Sequence, residues 1–202
     1  MRRPSPGKNI LWAVLSVPAL VTAVRIATQP DLRLDELLHP TGEWAARLMI
    51  LALMLTPLAT IFPRSRAVQW LVRHRRSFGV GAFCYALAHL VVYAIDMGTV
   101  TLMLAEFGAL GIWTAWVALL LMVPLAITSN ERAVRALGRG WKRLQRLAYP
   151  AALFTLIHWM FIHNGLVAGL ANFAPLILLQ LIRIFLVVRR RSGEQNLREK
   201  YQ

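Results

Sequence analysis

The chain has 202 residues, 57% of them hydrophobic and only 16% charged, with a formal net charge of +14; soluble domains rarely combine these features. Its single cysteine, Cys84, excludes an intramolecular disulfide and a cysteine-based metal cluster. The apolar residues fall in long runs, and with a membrane span needing roughly 20 of them, six segments qualify: 9–28, 44–62, 78–96, 107–128, 147–163 and 171–188. Residues 1–202 therefore read as one all-α integral membrane domain, a six-helix bundle with little left over for a soluble domain.

In the first segment, Arg2, Arg3 and Lys8 precede an apolar run from Ile10 to Val24, as in a secretory signal. The run is long for a signal, Arg25 closes it, and no small-x-small cleavage site follows, so a retained helix is expected. The loop 29–43 is the longest on its side, with Thr41 a candidate cap for a helix starting at Trp44. Segment 44–62 carries Arg47 one turn in, 64–76 is a basic loop, and 78–96 contains His89 and Cys84, the latter read as a packing residue. After 107–128, the stretch 130–146 repeats Val134, Leu137, Trp141 and Leu144 at three- or four-residue spacing, which predicts a short amphipathic helix on the membrane surface. Segment 147–163 holds His158 and His163, and after 171–188 the polar tail 192–202 is expected to fray. Pro150 and Pro175 are expected in first turns; Pro18, Pro57 and Pro124 fall inside spans and are expected to bend them.

Nineteen of the twenty-three lysines and arginines fall in 2–8, 64–76, 132–146 and 189–200. These alternate stretches lie on one side of a six-span chain, which the positive-inside rule assigns to the cytoplasm together with both termini. Asp31, Asp35, Glu36, Glu43, Asp96 and Glu106 lie on the other side. Because the positive charge is cut into short pieces beside the spans, it reads as topology and contact with anionic lipid, not as a nucleic-acid surface.

The residues with chemistry to offer are histidines. His89 lies thirteen residues beyond Arg76 and His158 fifteen beyond Arg143, so both imidazoles reach one layer of the membrane. Ionisable side chains at that depth cost a few kcal/mol and normally serve a function. Two neutral imidazoles suit the axial positions of one haem iron and give a centre for electron transfer; the alternative is that each ring bonds a backbone carbonyl or serves packing. Gly79, Gly81, Ala82, Ala86 and Ala88 leave room for a flat macrocycle near His89. Zinc lacks a cysteine or carboxylate at that depth to complete four ligands. His163, five residues past His158, points elsewhere on the helix and suits a solvated or quinone-contacting position; His39 and His74 read as surface residues. Arg47 either snorkels or pairs with a haem propionate. Trp44, Trp113, Trp116, Trp141 and Trp159 read mainly as interfacial belt residues. The chain has no G-x-G-x-x-G, no Walker sequence and no nucleophile paired with a base, so it is expected to carry electrons for another protein's chemistry.

Three stretches, HPTGEWAARLMILALMLTPL (39–58), RHRRSFGVGAFCYALAHLVVY (73–93) and PLAITSNERAVRALGRGWKRLQRLAYPAALFTLIHW (124–159), closely resemble the MsrQ family. Its members are haem-binding membrane subunits of bacterial methionine sulfoxide reductase systems, within the broader ferric-reductase-like transmembrane group. The resemblance runs in order over about residues 9–190. It implies an inner-membrane protein that passes electrons from the quinone pool or a reduced flavin, through haem b, to a periplasmic molybdopterin subunit that reduces methionine sulfoxide. It implies FMN as a further cofactor, and it matches the family's histidines of helices three and five to His89 and His158. The family's W-x-x-L-H-x-L-x-Y element has Gln145 in place of its histidine, in Trp141 to Tyr149. A second, inner haem is therefore not supported: one haem suffices, His74 substitutes, or the chain serves another partner. Two alternatives remain open: a stand-alone ferric-reductase-like or quinone-linked cytochrome b, and a transporter or assembly protein without haem.

Overall fold

The computed structural model describes residues 6–162 and 165–200, so His163 lies outside the described residues. The described residues form nine α-helices, in order α1 Pro6–Thr28, α2 Asp35–Ile61, α3 Arg66–Met97, α4 Val100–Glu106, α5 Leu110–Ile127, α6 Glu131–Leu137, α7 Arg139–Leu144, α8 Ala148–Ile162 and α9 Leu166–Lys200. A 3-10 turn at Gln145–Leu147 joins α7 to α8. Among the described residues there is no strand.

Among the described residues, five helices are long and apolar enough to cross a membrane: α1, α2, α3, α5 and the Leu166–Arg189 part of α9. The expected fifth span, 147–163, is instead α8, 15 residues long. At 1.5 Å per residue it reaches about 22 Å, short of a hydrocarbon layer of about 30 Å. Its Leu153 and Phe161 are 56 and 58% exposed, like Leu20 of α1 and Leu178 and Phe185 of α9 at 65, 59 and 64%, apolar surface of the kind lipid accepts.

Several boundaries depart from the sequence expectation, each for a local reason. Helix α2 begins at Asp35, not Trp44; Asp35 and Glu36 sit in its first turn, where carboxylates are favoured by the helix dipole. Thr41 is therefore inside the helix and caps nothing. Its hydroxyl lies 2.8 Å from the Leu37 carbonyl and 2.9 Å from that of Leu38. The basic stretch 64–76 is not a loop: Ser65 caps α3 by accepting from the Val68 N–H, and the arginines continue the helix. The expected helix 107–128 is α5, Leu110–Ile127, and a short additional helix, α4, capped by Thr99, precedes it. The surface helix at 130–146 is broken at Gly138, whose φ of +49° suits glycine alone. Trp141 is buried and donates to the Thr128 carbonyl at 3.0 Å, so it is no belt residue. The last helix starts earlier and ends later than expected, placing Pro175 in its interior and the tail in helix as far as Lys200. Cys84 is exposed on α3 and is not a packing residue.

The bundle is built around α2, which packs along α3 and also meets α8 and α9, while α5 packs along α8. Leu48, Met49, Leu55, Phe78, Ala82, Met122 and Ala151 form the core between them. Helix α1 is fastened from outside by Tyr85 of α3. The Tyr85 hydroxyl donates to Leu15 O at 2.8 Å and accepts from Ala19 N–H at 3.0 Å. A side chain thus bridges the hydrogen-bond ladder of α1 beside Pro18, one of the recognised causes of a helix bend.

Candidate functional site: two histidines across a helix junction

His89 on α3 and His158 on α8 face one another, with ring centroids 6.1 Å apart and planes at 73°. Each is fixed by a carbonyl of a third or fourth helix. His89 Nδ1 donates to Leu38 O of α2 at 2.9 Å, with Thr41 Oγ1 at 3.3 Å; His158 Nδ1 donates to Gly111 O of α5 at 2.7 Å. Because a carbonyl only accepts, both Nδ1 atoms carry the proton in the neutral rings and the lone pair sits on Nε2. Such an outer hydrogen bond orients a metal-ligating histidine and raises its basicity.

Two glycines make these contacts possible. A Cβ on Gly42 would lie 3.0 Å from Cε1 and Nδ1 of His89, and one on Gly111 would lie 2.9 Å from Ile162 Cγ1. Gly42 lets α2 come close enough for its Leu38 carbonyl to reach the ring. Gly111 lets α5 close on α8, bringing its own carbonyl to His158. The resemblance and the depth argument found the histidines; nothing in their spacing pointed to Gly42, Gly111 or Thr41. These depend on which helices pack, which periodicity does not reveal.

The rings line a half-open cleft of ≈ 140 Å³. Its walls are small and apolar where α2 and α5 contribute Ala45, Ala46, Ala115 and Ala118, with Trp116 and Trp159 as flat aromatic surfaces. Of the five small residues expected to make room, only Ala86 lines it. Gly79 and Ala82 face a different cavity, Gly81 packs against Leu48, and Ala88 is exposed. His39, expected at the surface, is exposed yet sits on the cleft lining, as does Glu43. Arg47 does not line the cleft. Its guanidinium pairs with Glu43 at 2.9 Å and reaches Asn172 Oδ1 of α9 at 3.4 Å.

The geometry can be tested against an iron in a flat macrocycle. Two metal–imidazole bonds of about 2 Å, plus about 1 Å from each nitrogen to its ring centre, put the centroids about 6 Å apart. The separation is 6.1 Å. A macrocycle supplies four equatorial nitrogens itself, so two protein ligands are enough. Among the described residues no three His, Cys, Asp or Glu side chains are grouped to hold a metal by themselves. The spacing of the two rings is compatible with both serving one metal held in a macrocycle.

At the other end of the bundle, Gln145 turns its amide to Thr128 Oγ1 at 3.3 Å and Leu125 O at 3.5 Å. His74 is turned away: it lies against Trp70 with centroids 4.3 Å apart, and its Nδ1 bonds Trp70 O at 2.8 Å.

The family model described as "Ferric reductase like transmembrane component" matches residues 41–156 of this chain. A protein of Brucella ovis named "Protein-methionine-sulfoxide reductase heme-binding subunit MsrQ" is 34% identical over 172 residues, covering 79% of this chain and 74% of its own. Proteins of the same name from Brucella canis and Brucella suis match to the same extent. No solved structure matches. The chain belongs to the ferric-reductase-like transmembrane family, in its MsrQ branch.

Proposed function

We propose that this chain is a haem b electron-transfer subunit of a methionine sulfoxide reductase system, with one haem held axially by His89 and His158. The observation that carries the reading is the 6.1 Å separation of two rings whose Nδ1 atoms are both tied to backbone carbonyls. The haem-binding name borne by the Brucella relatives supports it. When bound, the haem supplies a one-electron iron couple. The chain fixes both ligands, keeps the tautomer and surrounds the group with an apolar wall that excludes water and sets its potential. Arg47 enters as a peripheral group, one ion pair away from the cleft through Glu43, from which a propionate would draw it.

The membrane arrangement belongs to the same proposal. The chain crosses the bacterial inner membrane six times, with α8 as the short fifth crossing beside α5 and both termini in the cytoplasm. Electrons enter from the quinone pool or from a reduced flavin such as FMN, and leave to a periplasmic molybdopterin reductase that repairs methionine sulfoxide. Gln145 favours one haem over two, because an amide is a poor iron ligand.

A redox difference spectrum of the purified chain, with haem-to-protein stoichiometry, tests the reading. The expected result is a reducible b-type band and one haem per chain. Absence of the band after expression with excess haem would sink it. Identification of the partner needs a second measurement, reoxidation of the reduced chain by a molybdopterin reductase.

A further inference from the structure

The basic end of the bundle holds a second cavity, ≈ 510 Å³, between α2, α3, α5, α8 and α9. Five cationic side chains line it: Arg75 and Arg76 from α3, Lys142 from α7, Arg146 from the 3-10 turn and Arg183 from α9. None of its lining residues is acidic. Among the described residues, none of the ion pairs involves any of the five. Like charges gathered around one partly dry space repel one another, and a bound anion reverses the sign of that energy.

Arg183 carries the argument furthest. It is half-buried within the apolar Leu166–Arg189 stretch, six residues before Arg189, about 9 Å deeper along the helix. A cation at such depth is expected to have a partner or a function. Its partner among the described residues is Gln180, whose Oε1 accepts at 3.5 Å, the long limit of a hydrogen bond. Gln180 Nε2 is buried with no hydrogen-bond partner. The orphaned amide of Gln180 thus adjoins Arg183, although Gln180 itself does not line the cavity. Arg76, by contrast, is already oriented, its guanidinium 5.0 Å over the ring of buried Trp141.

We infer that this cavity is a binding site for a phosphate-bearing anion, with Arg183 as its deep anchor and Arg76 and Arg146 closing on the charge from the open end. Guanidinium forks match phosphate oxygens two at a time, which suits a site made of arginines from three different elements. A simple topological charge patch would lie on the outer surface; here the cations surround a cavity that reaches Met49 and Met122, residues that also wall the histidine cleft. The phosphate comes either from the headgroup of an anionic lipid or from a soluble molecule.

The test uses the full chain in non-ionic detergent, washed free of lipid. It is titrated with phosphatidylglycerol against phosphatidylcholine, read by native mass spectrometry, and separately with inorganic phosphate, read by phosphorus NMR line broadening. One saturable equivalent of phosphatidylglycerol with little phosphatidylcholine assigns the site to lipid; saturable binding of phosphate alone assigns it to a soluble ligand. In either case Arg183→Gln is expected to weaken binding by about tenfold, and Arg183→Lys by less, because lysine keeps the charge but not the fork. Should Arg183→Gln fail to fold, judged by circular dichroism, the pair Lys142→Gln and Arg146→Gln at the open end provides the same comparison. No saturable binding of either ligand, equal uptake of the neutral lipid, or affinity unchanged in the variants overturns the inference. The readout is binding without redox chemistry, so it stands or falls separately from the haem reading.

Discussion

The two cavities share Met49 and Met122 as a common wall and differ in almost everything else. The first is apolar, with imidazoles from α3 and α8, each tied to a carbonyl of a neighbouring helix. The second is cationic, and neither Gln145 nor any other residue lining it is a histidine. One bundle thus separates a cleft lined by two imidazoles from a cavity lined by five cations. The contrast teaches that a position facing a cavity is not enough: His89 is useful because α2 comes close enough to orient it, whereas Gln145 faces the inner cavity with its amide spent on Thr128 and Leu125.

The most severe way to break this contrast is to remove a ring. If the proposed ligation holds, His158→Ala or His89→Ala removes one of the two ligands, and the expected outcome is loss of most of the bound haem, read as pyridine haemochrome per mole of chain. A variant that retained full stoichiometry and an unchanged low-spin spectrum would show that the rings are only structural. The next largest effect is expected at Gly42. A Cβ there meets the His89 ring at 3.0 Å, so Gly42→Val must push either α2 or the ring aside. The expected haem occupancy falls several-fold while His89 itself is intact. An overpacked helix contact of this kind costs about 1–3 kcal/mol. Unaltered occupancy would mean that the α2 approach does not hold the ring.

Smaller effects sharpen the picture of the same site. Thr41→Val removes the hydroxyl beside His89 Nδ1 and leaves the stronger bond to Leu38 O. The fold should lose about 1 kcal/mol or less, the usual net worth of one hydrogen bond, and the haem midpoint potential should shift measurably with stoichiometry kept. Arg47→Ala should do less still. Its ion pair with Glu43 is between exposed side chains, a class worth about 0–1 kcal/mol. A large loss of haem in Arg47→Ala would promote this arginine from the periphery to a true propionate partner.

Much of the bundle is readable from apolar run length, since lipid imposes one thickness on every crossing. The pairing of His89 and His158 was readable too, because depth is counted from the arginines along rigid helices. What escaped depends on partners and not on runs. Thr41 looked like a cap because it stands between a polar loop and an apolar run, but acidic residues at 35 and 36 start the helix about two and a half turns earlier than Trp44. The stretch 64–76 looked like a loop because it is charged, yet arginine is a good helix former and Ser65 supplies the cap. Trp141 looked interfacial because aromatic residues in basic stretches often are; its burial follows from the break at Gly138, which turns α7 back toward the bundle. Arg183 was passed over because a single charge barely changes the hydropathy of a long span.

The smallest expected effect is a null result that decides between the two cavities. Gln145→His supplies the residue type that the sequence resemblance implies for the W-x-x-L-H-x-L-x-Y element, so a reading from that resemblance alone expects a second haem. The geometry argues otherwise. An inner haem with two imidazoles would need another histidine on the cavity, and His74 has its ring against Trp70 and its Nδ1 committed to the Trp70 carbonyl. The expected stoichiometry of Gln145→His is therefore one haem per chain, with the spectrum of the wild type. A second haem in this variant would mean that the inner cavity is a haem site disabled by one substitution, and the division of labour between the two ends of the bundle would have to be redrawn.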